Sequence, residues 1–304
     1  MRVLVTGATG FVGTWLMREL RSAGHEAVGA PSSSELDIND GPGLERLVEA
    51  VAPDAVAHLA AISFAGAAAR DPEAAVAVNA GGTRAVLTAV AGSAPGAPVL
   101  VTSSSEVYGR PAPQDLPLRE GHAPRPIHAY GRSKLAQEEV ALELAATHGI
   151  PLVITRAFNH TGPGQRTDFV IPALASRILE AIQAGRNTIR AGNVDVRRDI
   201  GDVRDVVRAY RLLLEAAVEV GRPSEPAVYN VATGRSILIR DVIAELASLA
   251  GATVEVETDP ALVRADDPPE IRGDATRLKQ AIAWDPEWPL STTLADVLAS
   301  VARS

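Results

Sequence analysis

The stretch VTGATGFVG, residues 5–13, decides how the rest of the chain is read. It follows an apolar run at Arg2–Thr6 and leads into a segment with Phe11, Trp15, Leu16 and Leu20 at helical spacing. Gly7, Gly10 and Gly13 stand between the two. Small residues there let the backbone approach a pyrophosphate at a helix N-terminus. The same glycines would serve a tight turn that packs a helix on a sheet. Their place between the first strand and the first helix favours the phosphate reading.

The pattern continues outward from that turn. Further strands are expected at Glu26–Gly29 and over 54–60, 99–103 and 152–158, with helices over 11–23, 43–52, 71–91 and Ala129–His148. Strands alternating with helices imply right-handed crossovers and a parallel sheet. The fold class is therefore α/β, a Rossmann-like doubly wound parallel sheet, with residues 1–158 as its dinucleotide-binding domain. The rhythm changes at Asn159. Helical patches over 171–184 and 202–217 sit among short strands around 188–190, 227–230 and 253–257. Residues 159–304 read mainly as a smaller, interleaved C-terminal substrate-binding lobe, with part of 194–232 returning to the main domain.

The 304 residues are 46% apolar, enough for a sizeable core, and carry a formal net charge of −8. Such an acidic chain does not suit nucleic acid, whose binding is driven by cations on phosphates. With no cysteine, disulfides, thiolate chemistry and Cys-ligated zinc are excluded; the six histidines form no metal-binding pattern, so no metal is expected. The opening MRVLVTGATG is too short for a signal-peptide core, and no apolar stretch reads as a bilayer span of ~20 residues. The expectation is a cytoplasmic protein without a membrane partner.

After the second strand the chain gives GAPSSSELDI, residues 29–38, with neither an acid nor an arginine at Gly29, Ala30 or Pro31. An acid there would favour NAD, and a nearby arginine NADP. Ser32, Ser33 and Ser34 are donors for a 2′-phosphate or line a polar turn; they tilt the choice, by a small margin, to NADP(H) over NAD(H). Asp37 and Ile38 are placed beside the adenine. Leu59, Ala60 and Ala61 follow the third strand and leave room for the dinucleotide. Phe11, Val12, Thr102 and Phe158 complete the expected cofactor lining, with Asn79 as a polar tie or a helix-surface residue.

YGRSK, residues 130–134, opens a helix, and Tyr130 and Lys134 share one face of it. A lysine ammonium beside a phenol lowers the phenol's pKa. Such a tyrosine passes a proton to or from a carbonyl oxygen, and Lys134 also suits a ribose. TSSSEVYG, residues 102–109, sits past the fourth strand, where loops build sites. Ser104 is the candidate grip on a carbonyl. Glu106 projects the same way if the segment stays extended. Ser105 is a substrate candidate, and Tyr108 reads as packing or ribose lining.

The sequence as a whole resembles the extended short-chain dehydrogenases/reductases that act on nucleotide sugars, in particular GDP-mannose 4,6-dehydratases and GDP-4-keto-6-deoxy-D-mannose reductases. The motifs that carry this are the glycine turn, the Ser104–Tyr130–Lys134 triad, RAFNHTGPGQ (residues 156–165) and RRDIGDVRDVVRAY (residues 197–210). The resemblance implies sugar or phosphate contact by Asn159 and a helix under the nucleotide starting at Phe169 and Val170. It also puts Gly192, Asn193 and Arg198 at the base and diphosphate, and an Arg264–Asp267 pair at the nucleotide, with aspartate in place of the family's glutamate. Independently, arginines suit a diphosphate by charge.

A 4,6-dehydratase needs a base and an acid beyond the tyrosine, and Glu106 aligns with that glutamate. A 4-ketoreductase needs only hydride delivery and a proton from Tyr130. The chain is short for the dehydratases and lacks their arginine pair after the second strand, and residues 259–274 look like the reductase branch. The expected activity is NAD(P)H-dependent reduction of GDP-4-keto-6-deoxy-D-mannose to GDP-D-rhamnose, with the dehydratase, or another nucleotide-sugar 4-ketoreductase or 4-epimerase, as alternatives. The resemblance also implies a homodimer built on the helices over 71–91 and 129–148, with Val86, Leu87 and Val90 as apolar surface.

Overall fold

Leu4, Val56, Val99, Val101 and Ile154 are all buried, because the strands that carry them are covered on both faces. The computed structural model describes residues 1–220, 227–263 and 266–303. In chain order its elements are β1 (Arg2–Thr6), α1 (Phe11–Ser22), β2 (Glu26–Gly29), α2 (Gly41–Val51), β3 (Ala55–His58), α3 (Ala65–Arg70), α4 (Pro72–Val76), α5 (Gly82–Ser93), β4 (Val99–Ser104), α6 (Ala129–His148), β5 (Leu152–Ala157) and β6 (Asn159–Thr161). They continue with α7 (Val170–Gln183), β7 (Thr188–Ala191), β8 (Arg197–Arg198), β9 (Ile200–Asp202), α8 (Val203–Val220), β10 (Ala227–Val231), β11 (Ile237–Leu238), α9 (Ile239–Leu249), β12 (Glu255–Thr258), β13 (Glu270–Ile271), α10 (Thr276–Ile282) and α11 (Leu290–Val301).

Six strands form one parallel sheet in the order β10-β5-β4-β3-β1-β2. The order reverses between β1 and β3, and ligands of such sheets bind outside the carboxyl ends at that point. Registers bring Thr6 beside His58 and Ser104 beside Ala157 at that edge. One apolar cluster, with Leu16, Leu20, Tyr210 and Leu214, seats α1 and α8 on one face. A second, with Leu44, Val48, Val90 and Leu144, seats α2, α5 and α6 on the other. A third cluster joins α7, α9 and α11 over β7. Three short sheets, β11-β8-β13, β12-β7 and β6-β9, complete the C-terminal part.

Three expectations need correction. The helix expected over 71–91 is α4, a π turn at Ala77–Gly81, and α5; the wide turn carries Asn79 inward. Val86, Leu87 and Val90 are buried against the sheet and supply no surface. Val76 and Leu142, 40% and 37% exposed, are the outward apolar residues of the packed pair α4 and α6. Finally, the continuous helical run Pro72–Ser93 is 22 residues long and contains an 18-residue window with a mean hydropathy of 1.3, long and apolar enough by composition to cross a membrane. Half of that window is buried inside the fold, as in a core helix.

The sheet, α6 and the loop after β4 meet at a buried ion pair. Glu138 accepts from Arg156 Nε at 3.0 Å and Nη2 at 2.7 Å, and from Ser103 Oγ at 2.5 Å. Arg156 Nη1 donates to Tyr108 Oη and the Glu120 carbonyl, and Tyr108 Oη donates to Asn230 Oδ1 at 2.7 Å. Removing one partner strands a buried charge, which costs about 3–5 kcal/mol. We expect Glu138→Ala to lower the unfolding free energy by about that amount in urea titrations; a loss under about 1 kcal/mol would show that the junction does not depend on the pair.

Candidate active site

The carboxyl ends of β1, β3, β4 and β5 open into a cleft of about 1370 Å³ that runs to β7 and the segment before β8. At one end lies the glycine turn. Gly7 has φ +67°, and a Cβ there would lie 2.8 Å from the Ala60 amide nitrogen. A Cβ on Gly13 would lie 2.0 Å from the Gly7 carbonyl oxygen, so α1 can pack on the turn only with glycine at that point. The N-cap of α1, Gly10, has no side chain to satisfy the first-turn amides, which face the cleft with the positive end of the helix dipole. An uncapped helix start beside this glycine turn fits a dinucleotide pyrophosphate.

Phe11, Val12, Leu59, Ala60, Ala61, Ser32, Ser33, Asp37 and Ile38 also line this end. Ser32 Oγ donates to Glu35 Oε2 at 2.7 Å, and its amide to the same oxygen at 3.0 Å. The turn thus holds a carboxylate that folds back from Glu35, a feature hidden by its distance from the strand end. Those two bonds from Ser32 hold the Glu35 carboxyl below its usual range. Arg18, Trp15 and His160 line the cleft and were missed in the sequence. The His160 ring stacks on Phe11 at 6.5 Å, and its Nδ1 donates to the Phe158 carbonyl at 2.9 Å. Asn79 does not line the cleft. It is fully buried, accepts from the Ile62 amide at 2.8 Å and donates to Ser133 Oγ at 2.9 Å, so it holds the cleft wall from behind.

At the centre, Thr102, Ser104, Ser105, Glu106, Tyr130, Lys134 and Phe158 come together. The expected extended path through Glu106 is not formed. Residues Ser105–Tyr108 make a 3-10 turn, capped by Ser104 Oγ, which accepts from the Glu106 amide at 3.2 Å. Ser104 and Glu106 both still reach the cleft. Tyr108 is 4% exposed and turned into the core.

The charges differ from the sequence reading. Burial raises the Tyr130 phenol above its usual value; the Glu106 carboxylate raises it further, and a hydrogen bond with Ser104 opposes both. Lys134 is tied to acceptors other than the phenol. Its ammonium donates to the Thr102 carbonyl and to Gln137 Oε1, each at 2.8 Å. Burial depresses Lys134 to about 7, with Glu138 opposing the fall. In the free protein the phenol is therefore held protonated. Tyr210, from the RRDIGDVRDVVRAY segment, also lines the cleft, and burial lifts it to about 12.

At the far end stand Asn159, Phe169, Val170, Gly192, Asn193, Arg198 and Asp267. Phe169 meets Phe64 edge-on, with centroids 5.8 Å apart. Arg198 was expected as an open diphosphate donor. It is 8% exposed and donates to Asp267 Oδ1 at 2.5 Å and to the Pro268 carbonyl at 2.9 Å. Asp267 thus pairs with Arg198. Arg264 lies outside the described residues.

Residues 3–232 match the model of the NAD dependent epimerase/dehydratase family. The chain belongs to that family, one of the extended short-chain dehydrogenases/reductases. It is 36% identical over 301 residues to the GDP-6-deoxy-D-mannose reductase of Pseudomonas aeruginosa, covering 98% of this chain and 96% of that one. It is 28% identical to the GDP-6-deoxy-D-talose 4-dehydrogenase of Aggregatibacter actinomycetemcomitans, covering 94% and 92%. The structure of RMD from Pseudomonas aeruginosa complexed with NADPH superposes with a TM-score of 0.89 at 35% identity, covering 100% of this chain and 99% of that one.

The buried lysine has a measurable consequence. Its folded-state value, about 7, lies below the ordinary 10.5. Across that interval the unfolded chain binds more protons than the folded one, so this group makes stability rise with pH. We expect the unfolding free energy of the wild type, minus that of Lys134→Met, to grow between about pH 7.5 and about pH 9.5. A constant difference would show that Lys134 is charged throughout.

Proposed function

We propose that this protein reduces the C4 ketone of GDP-4-keto-6-deoxy-D-mannose, giving GDP-D-rhamnose. The observation that carries the reading is Tyr130, a phenol kept protonated in a cleft beside the Ser104 hydroxyl. When bound, a reduced nicotinamide supplies hydride to the carbonyl carbon. Ser104 donates to the ketone oxygen and fixes its direction. Tyr130 gives that oxygen its proton as negative charge develops on it. Lys134, anchored by the Thr102 carbonyl and Gln137, holds its remaining donor toward the cleft, where a ribose hydroxyl would accept it. Two relatives named for position 4 or for the 6-deoxy-mannosyl product support the substrate class.

The far end of the cleft would take the GDP portion, with Asn159, Phe169, Val170, Gly192 and Asn193 along the nucleotide and the Arg198–Asp267 pair beside its charged groups. We assign residues 1–158 to the cofactor and residues 159–304 mainly to the substrate, with part of 194–232 belonging to the cofactor half; the pairing of β10 with β5 supports that return. The cofactor is NADP(H) in preference to NAD(H). Ser32, Ser33 and the cationic Arg18 on the cleft support the phosphate, as does the NADPH complex of the relative. The Glu35 carboxylate on Ser32 opposes it and keeps the margin small.

A second reading, the 4,6-dehydratase, rests on Glu106, whose carboxylate stands close enough to raise the Tyr130 phenol. One experiment separates them. The protein is given GDP-4-keto-6-deoxy-D-mannose or GDP-mannose, each with NADPH and with NADH, and the products are followed by mass spectrometry. We expect the keto sugar to gain two hydrogens with stoichiometric loss of cofactor, faster with NADPH, and Tyr130→Phe to cut turnover by at least ~10²-fold. Loss of water from GDP-mannose without net cofactor use would make Glu106 catalytic and replace the reductase reading.

We also propose a homodimer across α4 and α6, whose outward apolar residues Val76 and Leu142 suit a twofold contact. Light scattering at micromolar concentration should give twice the chain mass of 31.7 kDa; a single species at the chain mass would exclude it.

A further inference from the structure

Behind Lys134 runs a closed chain of buried polar side chains that the reaction itself does not use. Thr6, His58, Thr83 and Gln137 are each 0% or 1% exposed. Thr83 Oγ1 has one proton, which it gives to the Asn79 carbonyl at 2.7 Å. Its other two contacts must therefore be accepted. Gln137 Nε2 donates to it at 2.9 Å, and His58 Nε2 lies at 3.0 Å. The His58 proton is thereby fixed on Nε2, and Nδ1 accepts from Thr6 Oγ1 at 2.8 Å. Thr6 Oγ1 in turn accepts from the amides of Leu59 and Ala60, both at 3.2 Å, which line the dinucleotide end. Burial pushes His58 down to about 3, so the ring stays neutral and the direction of every bond is set.

Gln137 is the point where this matters. An amide can turn either way, and only one way offers its oxygen to an ammonium. Because Thr83 has no proton left to give, it can only accept from Gln137, which keeps Nε2 on Thr83 and Oε1 on Lys134. We propose that Thr83 is a positioning residue of this site: it locks the Gln137 amide so that its oxygen faces Lys134, and so fixes where the ammonium stands in the cleft.

The groups around that ammonium make the effect readable. Tyr130 and Glu138 lie on its own helix, His58 on β3 and Glu106 after β4. From α5 the nearest cation, Arg84, is turned away to Glu143 at the exposed end. Of these, Glu138 favours the charged lysine and burial opposes it. Without Thr83 as an acceptor the Gln137 amide is free to turn, and the lysine loses one of its two protein acceptors. A lost hydrogen bond to the charged form lowers the pKa of the lysine further.

The chain has only two lysines, Lys134 and Lys279. Lys279 is on the surface, paired with Asp285, and serves as an internal reference. Protein labelled with 13C-lysine would be titrated without ligands, following the two ε-carbon signals by NMR, for wild type, Thr83→Val and Thr83→Ser. The turnover arm, which alone rests on the reductase reading, measures NADPH-dependent reduction of the keto sugar. We expect Thr83→Val to move the Lys134 midpoint down by about one pH unit and Thr83→Ser to leave it in place. We expect kcat to fall by about 10-fold or more in Thr83→Val at unchanged KM for the sugar, and to be restored in Thr83→Ser. Should Thr83→Val not fold, Gln137→Met carries the same comparison, with the same downward shift. A folded Thr83→Val or Gln137→Met with an unmoved midpoint overturns the proposal, as does a Thr83→Ser midpoint displaced as far as that of the valine. A wild type that leaves the keto sugar untouched refutes the reductase reading and leaves the titration to decide the role of Thr83.

Discussion

The buried pair of Arg156 and Glu138 is the constraint on which the site is built. Their side chains are only 7% and 3% exposed, so neither charge can exist there without the other. Arg156 belongs to β5 and Glu138 to α6, one helical turn beyond Lys134. Ser103, which also donates to Glu138, precedes Ser104 in β4. One ion pair thus holds in register the helix that carries Tyr130 and Lys134 and the strand that ends in Ser104. Such a pair adds little net stability against a well-packed apolar alternative. Its contribution here is geometric, because a slip of α6 along the sheet would leave both charges unmatched.

The C-terminal helix α11 and the first helix α1 are both tied to α8 by its arginines. Arg204 pairs with Asp202 at 2.6 Å and with Asp296 of α11 at 2.8 Å, and its guanidinium lies 3.3 Å from the Trp288 ring centroid. Arg208 reaches Asp205 and Glu287, and Arg211 joins Glu19 of α1 to Glu215. Planar, multidentate guanidiniums can satisfy two carboxylates and stack on a ring together, which an ammonium cannot. Arginines of α8 thus link α11 on one side and α1 on the other.

Much of this was legible in the sequence, for reasons that differ by residue. Gly7 and Gly13 were readable because only glycine meets their steric demand, and Gly10 by its place between them. Arg2–Thr6 and Ala129–His148 were readable in full because a turn or a helix-stopping glycine bounds them. The Tyr130–Lys134 spacing was visible, but not the sign of its electrostatics, since that depends on Glu106 and on a carbonyl of Thr102 brought in by another strand. Arg198 and Asp267 are 69 positions apart, and no local pattern announces that they neutralise each other. Asn79 was ambiguous because the π turn that buries it leaves no periodic trace in an alanine-rich helix. Val86, Leu87 and Val90 went to the wrong face for the same reason: alanine is equally at home inside and outside.

The strand order also bears on how the chain reaches its native state. β10 completes the sheet by pairing with β5, yet it is made some seventy residues later, after α7, β7 and α8. A nascent chain that has emerged only through β5 has an unpaired sheet edge and a bare apolar face where α8 will lie. Such surfaces are sticky, and a partly synthesised chain is exposed to them until residue 231 is free of the ribosome. Cutting the gene at the apparent boundary after β5 would reproduce that intermediate as a permanent product. The stretch through β5 is thus not a unit of folding, and a shuffled or fused version must carry α8 and β10 with it.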